Sequence, residues 1–166
     1  MKTIIIYSST YGYAKDCASE LLKQLKGEVL LVNVSTDTIP SINEFDNIVI
    51  GGSIYMGQIS KKIKGYCISN ADLLKNKRVG LFLCCGLPEN VEKNIKNAFP
   101  EELLKKAISV EFFGGELRIE KMKFAHKILT GLMQKAAVKD GKTLAKQMPE
   151  NIAKLAAIIN KSEGVK

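Results

Sequence analysis

Thr3-Ile4-Ile5-Ile6-Tyr7-Ser8-Ser9-Thr10-Tyr11-Gly12-Tyr13-Ala14 joins an apolar run to a hydroxyl-rich loop and then to the start of a helix near Ala14. The β-branched run reads as a buried parallel strand, because a strand covered on both faces has no reason to alternate. The loop offers hydroxyl donors and one glycine, and the helix behind it offers unpaired N–H groups at the positive end of its dipole. Together they form a cradle for a phosphate. The loop itself contains no lysine or arginine, so it would hold the anion by neutral hydrogen bonds. The same hydroxyls would equally serve a plain strand end and helix cap.

Working outward, Ala14, Cys17, Ala18, Leu21, Leu22 and Leu25 recur at helical spacing and predict a helix packed on a sheet. Strand-like runs follow at Lys2–Tyr7, Val29–Val34, Asn47–Gly51, Val79–Cys84 and Ile108–Phe113. Helical segments are expected from Ser60 to Cys67, Glu89 to Phe99, Ile119 to Ala137 and Lys142 to Asn160, with Pro40, Pro88, Pro100 and Pro149 at turns or first turns. This βαβ alternation predicts an α/β fold with a parallel sheet. Winding the strands in the order 2-1-3-4-5 puts the ends of strands 1 and 3 at a topological switch point, where such folds bind ligands. The segments after strands 1, 3 and 4 then meet above one edge of the sheet.

The chain has 166 residues, enough for one domain with its own core, and its 46% hydrophobic and 25% charged composition argues against disorder. No linker or repeat divides it, so residues 1–166 read as a single domain. No apolar stretch reaches membrane-spanning length and Lys2 runs directly into a strand, which predicts a cytoplasmic protein. Cys17, Cys67, Cys84 and Cys85 lack metal-ligand spacing and read as buried thiols, with Cys84 or Cys85 at the border of the site. No metal is expected. The formal net charge of +8 favours acidic partners or simply solubility.

The second loop, Gly51-Gly52-Ser53-Ile54-Tyr55-Met56-Gly57, combines tight-turning glycines with an aromatic ring and a thioether able to lie against a planar group. A phosphate on the first loop and a ring on the second describe a mononucleotide. With Tyr7-Ser8-Ser9-Thr10-Tyr11-Gly12, the segment from Phe45 to Gly57, and the strand to Cys85, the chain resembles the flavodoxin-like superfamily over nearly its whole length. Within it the chain is most similar to the branch of FMN-dependent protoporphyrinogen IX dehydrogenases, helped by Gly114-Gly115-Glu116-Leu117 and the basic helix after it. The resemblance implies a three-layer flavodoxin-like sandwich and a noncovalent FMN. Its phosphate would sit on Ser8, Ser9, Thr10, Tyr11, Gly12, Tyr13 and Ala14, and its ring between Ser53, Ile54, Tyr55, Met56 and Gly57 on one side and Cys85, Gly86 and Leu87 on the other. Two departures stand out: Ala14 replaces a frequent threonine of the phosphate loop, and Cys85-Gly86-Leu87-Pro88 lacks the tyrosine that electron-shuttling flavodoxins stack on the ring.

Between Leu117 and Lys146, eight basic residues face only Glu120 and Asp140, while Met122, Ala125, Leu129, Leu132, Met133 and Ala136 sit at helical spacing. This predicts an extra basic helix after strand 5. It is expected to pack its apolar face on this or another subunit, giving a homodimer in the latter case; contact with an anionic membrane or an acidic redox partner is the alternative. No nucleic acid is expected. His126, the only histidine, is expected on that helix rather than on a flavin loop, as a partly exposed residue and not a catalytic base. Lys61, Lys62 and Lys64 border the second loop. With no other catalytic constellation in view, the resemblance implies an FMN-dependent oxidoreductase passing electrons from a reduced substrate or partner to an acceptor. A flavodoxin-type electron carrier and a flavin-binding docking module are the alternatives. Catalytic side chains are not assigned.

Overall fold

A computed structural model describes residues 1–116, 118–142 and 144–161. Leu117, included above in the Gly114-Gly115-Glu116-Leu117 stretch, lies outside the described residues. Strands β1 (Lys2–Ser8), β2 (Glu28–Asn33), β3 (Asn47–Ser53), β4 (Arg78–Cys84) and β5 (Ser109–Phe112) form one parallel sheet in the order β2-β1-β3-β4-β5. β1, β3 and β4 are the uninterrupted apolar runs, and they are the three inner strands, buried on both faces. Edge strand β2 instead alternates in exposure.

Two cores flank the sheet. On one face Ile5, Val49 and Phe82 meet α1 (Tyr13–Gln24) and α7 (Pro149–Asn160) through Ala14, Cys17, Leu21, Leu155 and Ile159. On the other, Ile4, Ile6, Ile48, Ile50 and Leu81 meet α2 (Lys61–Ser69), α3 (Ala71–Leu74), α4 (Val91–Ala98) and α5 (Glu101–Lys106) through Ile63, Cys67, Leu74, Ala98 and Leu103. Alternate residues of one strand supply opposite cores, which is the period of 2 at work. The result is the three-layer sandwich expected from the sequence.

Three helix expectations need correction. The segment from Glu89 begins as a short 3-10 turn at Pro88–Asn90 before α4, and a separate α5 follows Pro100. The expected helix from Lys142 starts only at Pro149, whose fixed φ and missing N–H suit the first helical position. The stretch before it runs back to β5 and pairs Gln147 with Gly114. Finally, the basic segment is a 3-10 turn at Ile119–Lys121 followed by α6 (Phe124–Lys139).

The apolar face of α6 does not pack on the sheet. Both faces of the sheet are already covered, so α6 lies across the carboxyl ends of the strands, and among the described residues it contributes none to either core. Leu129, Thr130, Met133 and Gln134 line a cleft over those ends, whereas Phe124 (79% exposed), Ile128, Leu132 and Val138 face outward. Among the described residues no helix is long and apolar enough to cross a membrane.

Candidate functional site

Three loops leave the carboxyl ends of β1, β3 and β4 side by side. After β1, the Ser9 hydroxyl accepts the Gly12 N–H at 3.0 Å and closes a tight turn. Gly12 then takes φ +96°, a conformation L side chains rarely adopt, and turns the chain into α1. No side chain caps α1, so the amides of its first turn point out of the loop at the positive end of the helix dipole. Tyr13 and Ala14 turn their side chains into the α1–α7 core, where the Tyr13 hydroxyl donates to the Phe113 carbonyl at 2.8 Å. They therefore present backbone, not side chain, to the cradle. The missing hydroxyl at Ala14 is the consequence of a position that is fully buried.

The second loop is tied to the first by the Thr10 N–H donating to the Ser53 hydroxyl at 3.3 Å. The Ile54 N–H donates to the Cys84 carbonyl at 2.7 Å, which fastens it to β4. Tyr55 and Gln58 exchange backbone hydrogen bonds at 2.9 and 3.1 Å around Met56 and Gly57, with φ of 51° and 75°. Two successive positive φ values make a tight mirror-image turn. Met56 is the non-glycine residue forced into it, and its side chain stands exposed at the tip. The third loop, Cys85-Gly86-Leu87, is anchored by Cys85 N–H to the Gly114 carbonyl at 3.0 Å and by Ala145 N–H to the Gly86 carbonyl at 2.9 Å. The Cys85 thiol donates to the Leu87 carbonyl at 3.4 Å, and burial pushes its pKa up. It is a structural thiol of the loop, not an activated one.

A cleft of about 550 Å³ opens between Ile54–Ile59 on one side, Cys85–Leu87 and α4 on another, and α6 on the third. Its floor is apolar and its rim carries Lys61, Lys64 and Lys93 with Asn90, Asn94 and Asn97. Lys62, expected beside them, instead donates to the Ser35 carbonyl at 3.0 Å. A smaller hollow of about 90 Å³ adjoins the cleft beneath Thr10, Tyr11 and Ser53.

His126 lies on α6 and is half-buried, as expected, but its contacts were not foreseen. From the first turn of α6 its Nδ1 hydrogen-bonds the Tyr11 hydroxyl of the first loop, and its ring lies 4.8 Å from that of Tyr55 at 32°. It thus clasps the basic helix onto two of the three loops. Burial, with the Tyr55 phenol beside it, raises the Tyr11 pKa. The Tyr55 hydroxyl is buried without a hydrogen-bond partner among the described residues. An orphaned buried hydroxyl of this kind is accounted for by local strain, an ordered water or a ligand group.

Arg118 and Lys121 were also invisible as site residues. Arg118 Nη1 lies 3.2 Å and Lys121 Nζ 3.8 Å from the point a Gly12 side chain would occupy. The guanidinium is held by Asp16 at 2.6 Å and Glu116 at 2.6 Å, stands 5.8 Å from the Tyr13 ring centre, and is 14% exposed. Hydrogen bonds from Asp16 first, and from Glu116, raise its pKa above the ordinary guanidinium value. Their only sequence signal was the density of basic residues after β5.

Residues 4–144 match the family model described as the flavodoxin domain. The chain belongs to this flavodoxin family. A search of curated proteins returns no match. Among solved structures it is similar to a short-chain flavodoxin associated with a non-canonical PDU bacterial microcompartment (TM-score 0.54, 13% identity, covering 96% of each chain). It is likewise similar to a flavodoxin of Streptococcus pneumonia TIGR4 (0.53, 11%, covering 96% of this chain and 97% of that one). The flavodiiron protein of Giardia intestinalis (0.52, 11%) is matched over 96% of this chain but only 34% of that protein. At these identities the structural likeness concerns the fold, and it is the flavodoxin fold, with the smaller hollow at the switch point between β1 and β3 and the larger cleft beside it.

Proposed function

We propose that this flavodoxin-family chain binds FMN noncovalently and works as an oxidoreductase, passing electrons from a reduced substrate or partner to an acceptor. The observation that carries the reading is that the strained Tyr55–Gln58 turn and the Cys85–Leu87 loop line one cleft, while the first loop, which leads into the uncapped α1 terminus, lines the smaller hollow adjoining it. The residues present fit the cofactor. Its phosphate has the amides of Tyr13 and Ala14 and the hydroxyls of Ser8, Ser9 and Thr10 within the first loop, and its ring has an apolar, aromatic-edged cleft of the volume usual for small-ligand sites. When bound, FMN supplies the electron-transfer chemistry. Ser53, Ile54, Tyr55, Met56 and Gly57 would hold one side of the ring and Cys85, Gly86 and Leu87 the other. Leu129 and Met133 of α6 line the third side of the cleft.

An enzyme is favoured over a carrier by the breadth of the cleft and by its rim of lysines and amides, which offers room and hydrogen-bonding partners for a second molecule beside the ring. The protoporphyrinogen dehydrogenase-like activity implied by the family resemblance is the specific substrate proposal. Its test is oxidation of protoporphyrinogen IX by FMN-supplemented protein with a quinone acceptor. A rate no faster than free FMN would leave the carrier reading. Docking on an anionic membrane surface belongs to the same proposal, because Phe124, Ile128, Leu132 and Val138 share the outer face of α6 with Lys127, Lys135 and Lys139.

A further inference from the structure

The phosphate loop carries no cation of its own, yet two cations from beyond β5 stand over it. A side chain at position 12 would put its Cβ 3.2 Å from Arg118 Nη1, so glycine lets the guanidinium come down onto the loop, and Lys121 Nζ lies 3.8 Å from the same point. A guanidinium has five N–H donors. Here Nε donates to Glu116 at 2.7 Å, Nη2 to Glu116 at 2.6 Å and Nη1 to Asp16 at 2.6 Å. That leaves two N–H groups uncommitted by these bonds. The carboxylates fix the side chain in place, so a ligand would meet a preorganised donor, and Asp16 ties it to the first turn of the helix that opens the cradle.

We propose that Arg118, assisted by Lys121, is a phosphate-binding residue, and that this chain selects the phosphorylated flavin through a charged wall that its phosphate loop lacks. The inference rests on the FMN reading above and deepens it. A phosphate monoester carries about −1.5 to −2 charges near neutral pH. Its oxygens accept charge-assisted hydrogen bonds, which are shorter and stronger than those from neutral hydroxyls. Riboflavin has the same ring without the phosphate and gains nothing from Arg118. The cost of bringing a dianion close to Asp16 and Glu116 is offset by the Lys121 charge and the helix terminus, neither of which is spent on a carboxylate in the Arg118 network.

The test titrates wild-type protein, Arg118→Ala and Lys121→Ala with FMN and with riboflavin, following flavin fluorescence. For Arg118→Ala, FMN affinity falls by about tenfold or more while riboflavin affinity stays within about twofold. For Lys121→Ala, which leaves the Asp16–Arg118–Glu116 network intact, FMN affinity falls by about threefold, and the salt dependence of FMN binding becomes shallower. Equal losses for both flavins would assign Arg118 to holding the 114–123 segment in place and would overturn the proposal. So would a Lys121 variant indistinguishable from wild type if Arg118→Ala does not fold. Wild-type protein binding both flavins equally tightly would overturn the phosphate wall and leave the flavin site standing. Wild-type protein binding neither would remove the functional reading itself.

Discussion

Gly52→Ala tests whether the β1–β3 contact sets the position of the phosphate loop. Gly52 sits opposite Ser8 in the parallel register, at the last step before β1 becomes the loop. A Cβ there would lie 2.5 Å from the Ser8 hydroxyl oxygen and 2.7 Å from the Ser8 carbonyl oxygen. The hydroxyl can rotate away, but the carbonyl belongs to the strand and must shift by about 0.7 Å to reach ordinary contact. Overpacking of this kind costs about 1–3 kcal/mol, and replacing a strand glycine returns about 0.5–1 kcal/mol of backbone entropy, for a net loss of about 0–2.5 kcal/mol. Because the displaced atom is the root of the Ser9–Gly12 turn, FMN affinity falls by about tenfold as well, a change worth about 1.4 kcal/mol. Urea unfolding measures the first quantity through the midpoint at constant m, and flavin titration measures the second. Gly65→Ala is the internal control: its Cβ meets nothing within 4 Å in the interior of α2, so helix propensity predicts a gain of about 0.5–1 kcal/mol. A Gly52 variant within about 0.5 kcal/mol of wild type that also binds FMN normally would refute the idea that this close approach positions the loop.

Three further outcomes are expected. Burial pushes the Cys67 thiol from its usual value near 9 up to about 12; the unfolded chain therefore loses that proton first, so stability is complete below pH 9 and falls as pH rises toward 12, by up to about 1.4 kcal/mol per pH unit. Cys67→Ala should make the alkaline slope shallower, leaving the share of Tyr66, Cys84 and Cys85, which burial raises as well, and an unchanged slope would mean the Cys67 thiol is not one of its sources. His126→Ala removes the ring that meets both Tyr11 and Tyr55, so hydrogen exchange in α6 should rise sharply while the β1, β3 and β4 amides stay protected; unchanged exchange in α6 would show that other contacts hold it. Lys61, Lys64 and Lys93 around the cleft, within a chain of formal charge +8, stabilise negative charge on a bound flavin. Its second-electron potential should be less negative than that of an acidic flavodoxin, and an equally low value would remove charge as the explanation.

The sheet was legible because its decisive strands are buried on both faces: Ile4-Ile5-Ile6 and Ile48-Val49-Ile50 have few alternatives to a central parallel strand. The α1 stripe was legible for the complementary reason, since Ala14, Cys17, Ala18 and Leu21 follow one helical face into one core. The three loops could be grouped because strand order alone brings them together. What escaped was set by contacts with no local trace. His126 meets Tyr11 across 115 positions and Arg118 meets Asp16 across 102, and neither pairing leaves a period or motif in the sequence. The apolar spacing of Ala125, Leu129, Leu132 and Met133 correctly indicated a helix, though Met122 falls in extended backbone before it, and periodicity says nothing about whether a sheet face remains for it to cover. Two filled faces send α6 over the strand ends, and the apolar residues divide between the cleft and the outer surface. The stretch from Lys142 to Met148 misled for a related reason: its lysines and leucine suit a helix, but its backbone is used in holding Gly86, Gly114 and Gly115.

The central claim is that the cleft at the ends of β1, β3 and β4 holds FMN. Protein incubated with excess FMN and passed through a desalting column provides the most direct measurement, through its visible spectrum and the identity of the flavin released on denaturation. The account predicts a flavin spectrum travelling with the protein at about one FMN per chain, reduced in the Gly52 and Arg118 variants. Protein that emerges colourless, with all the FMN retained as free flavin, would contradict it.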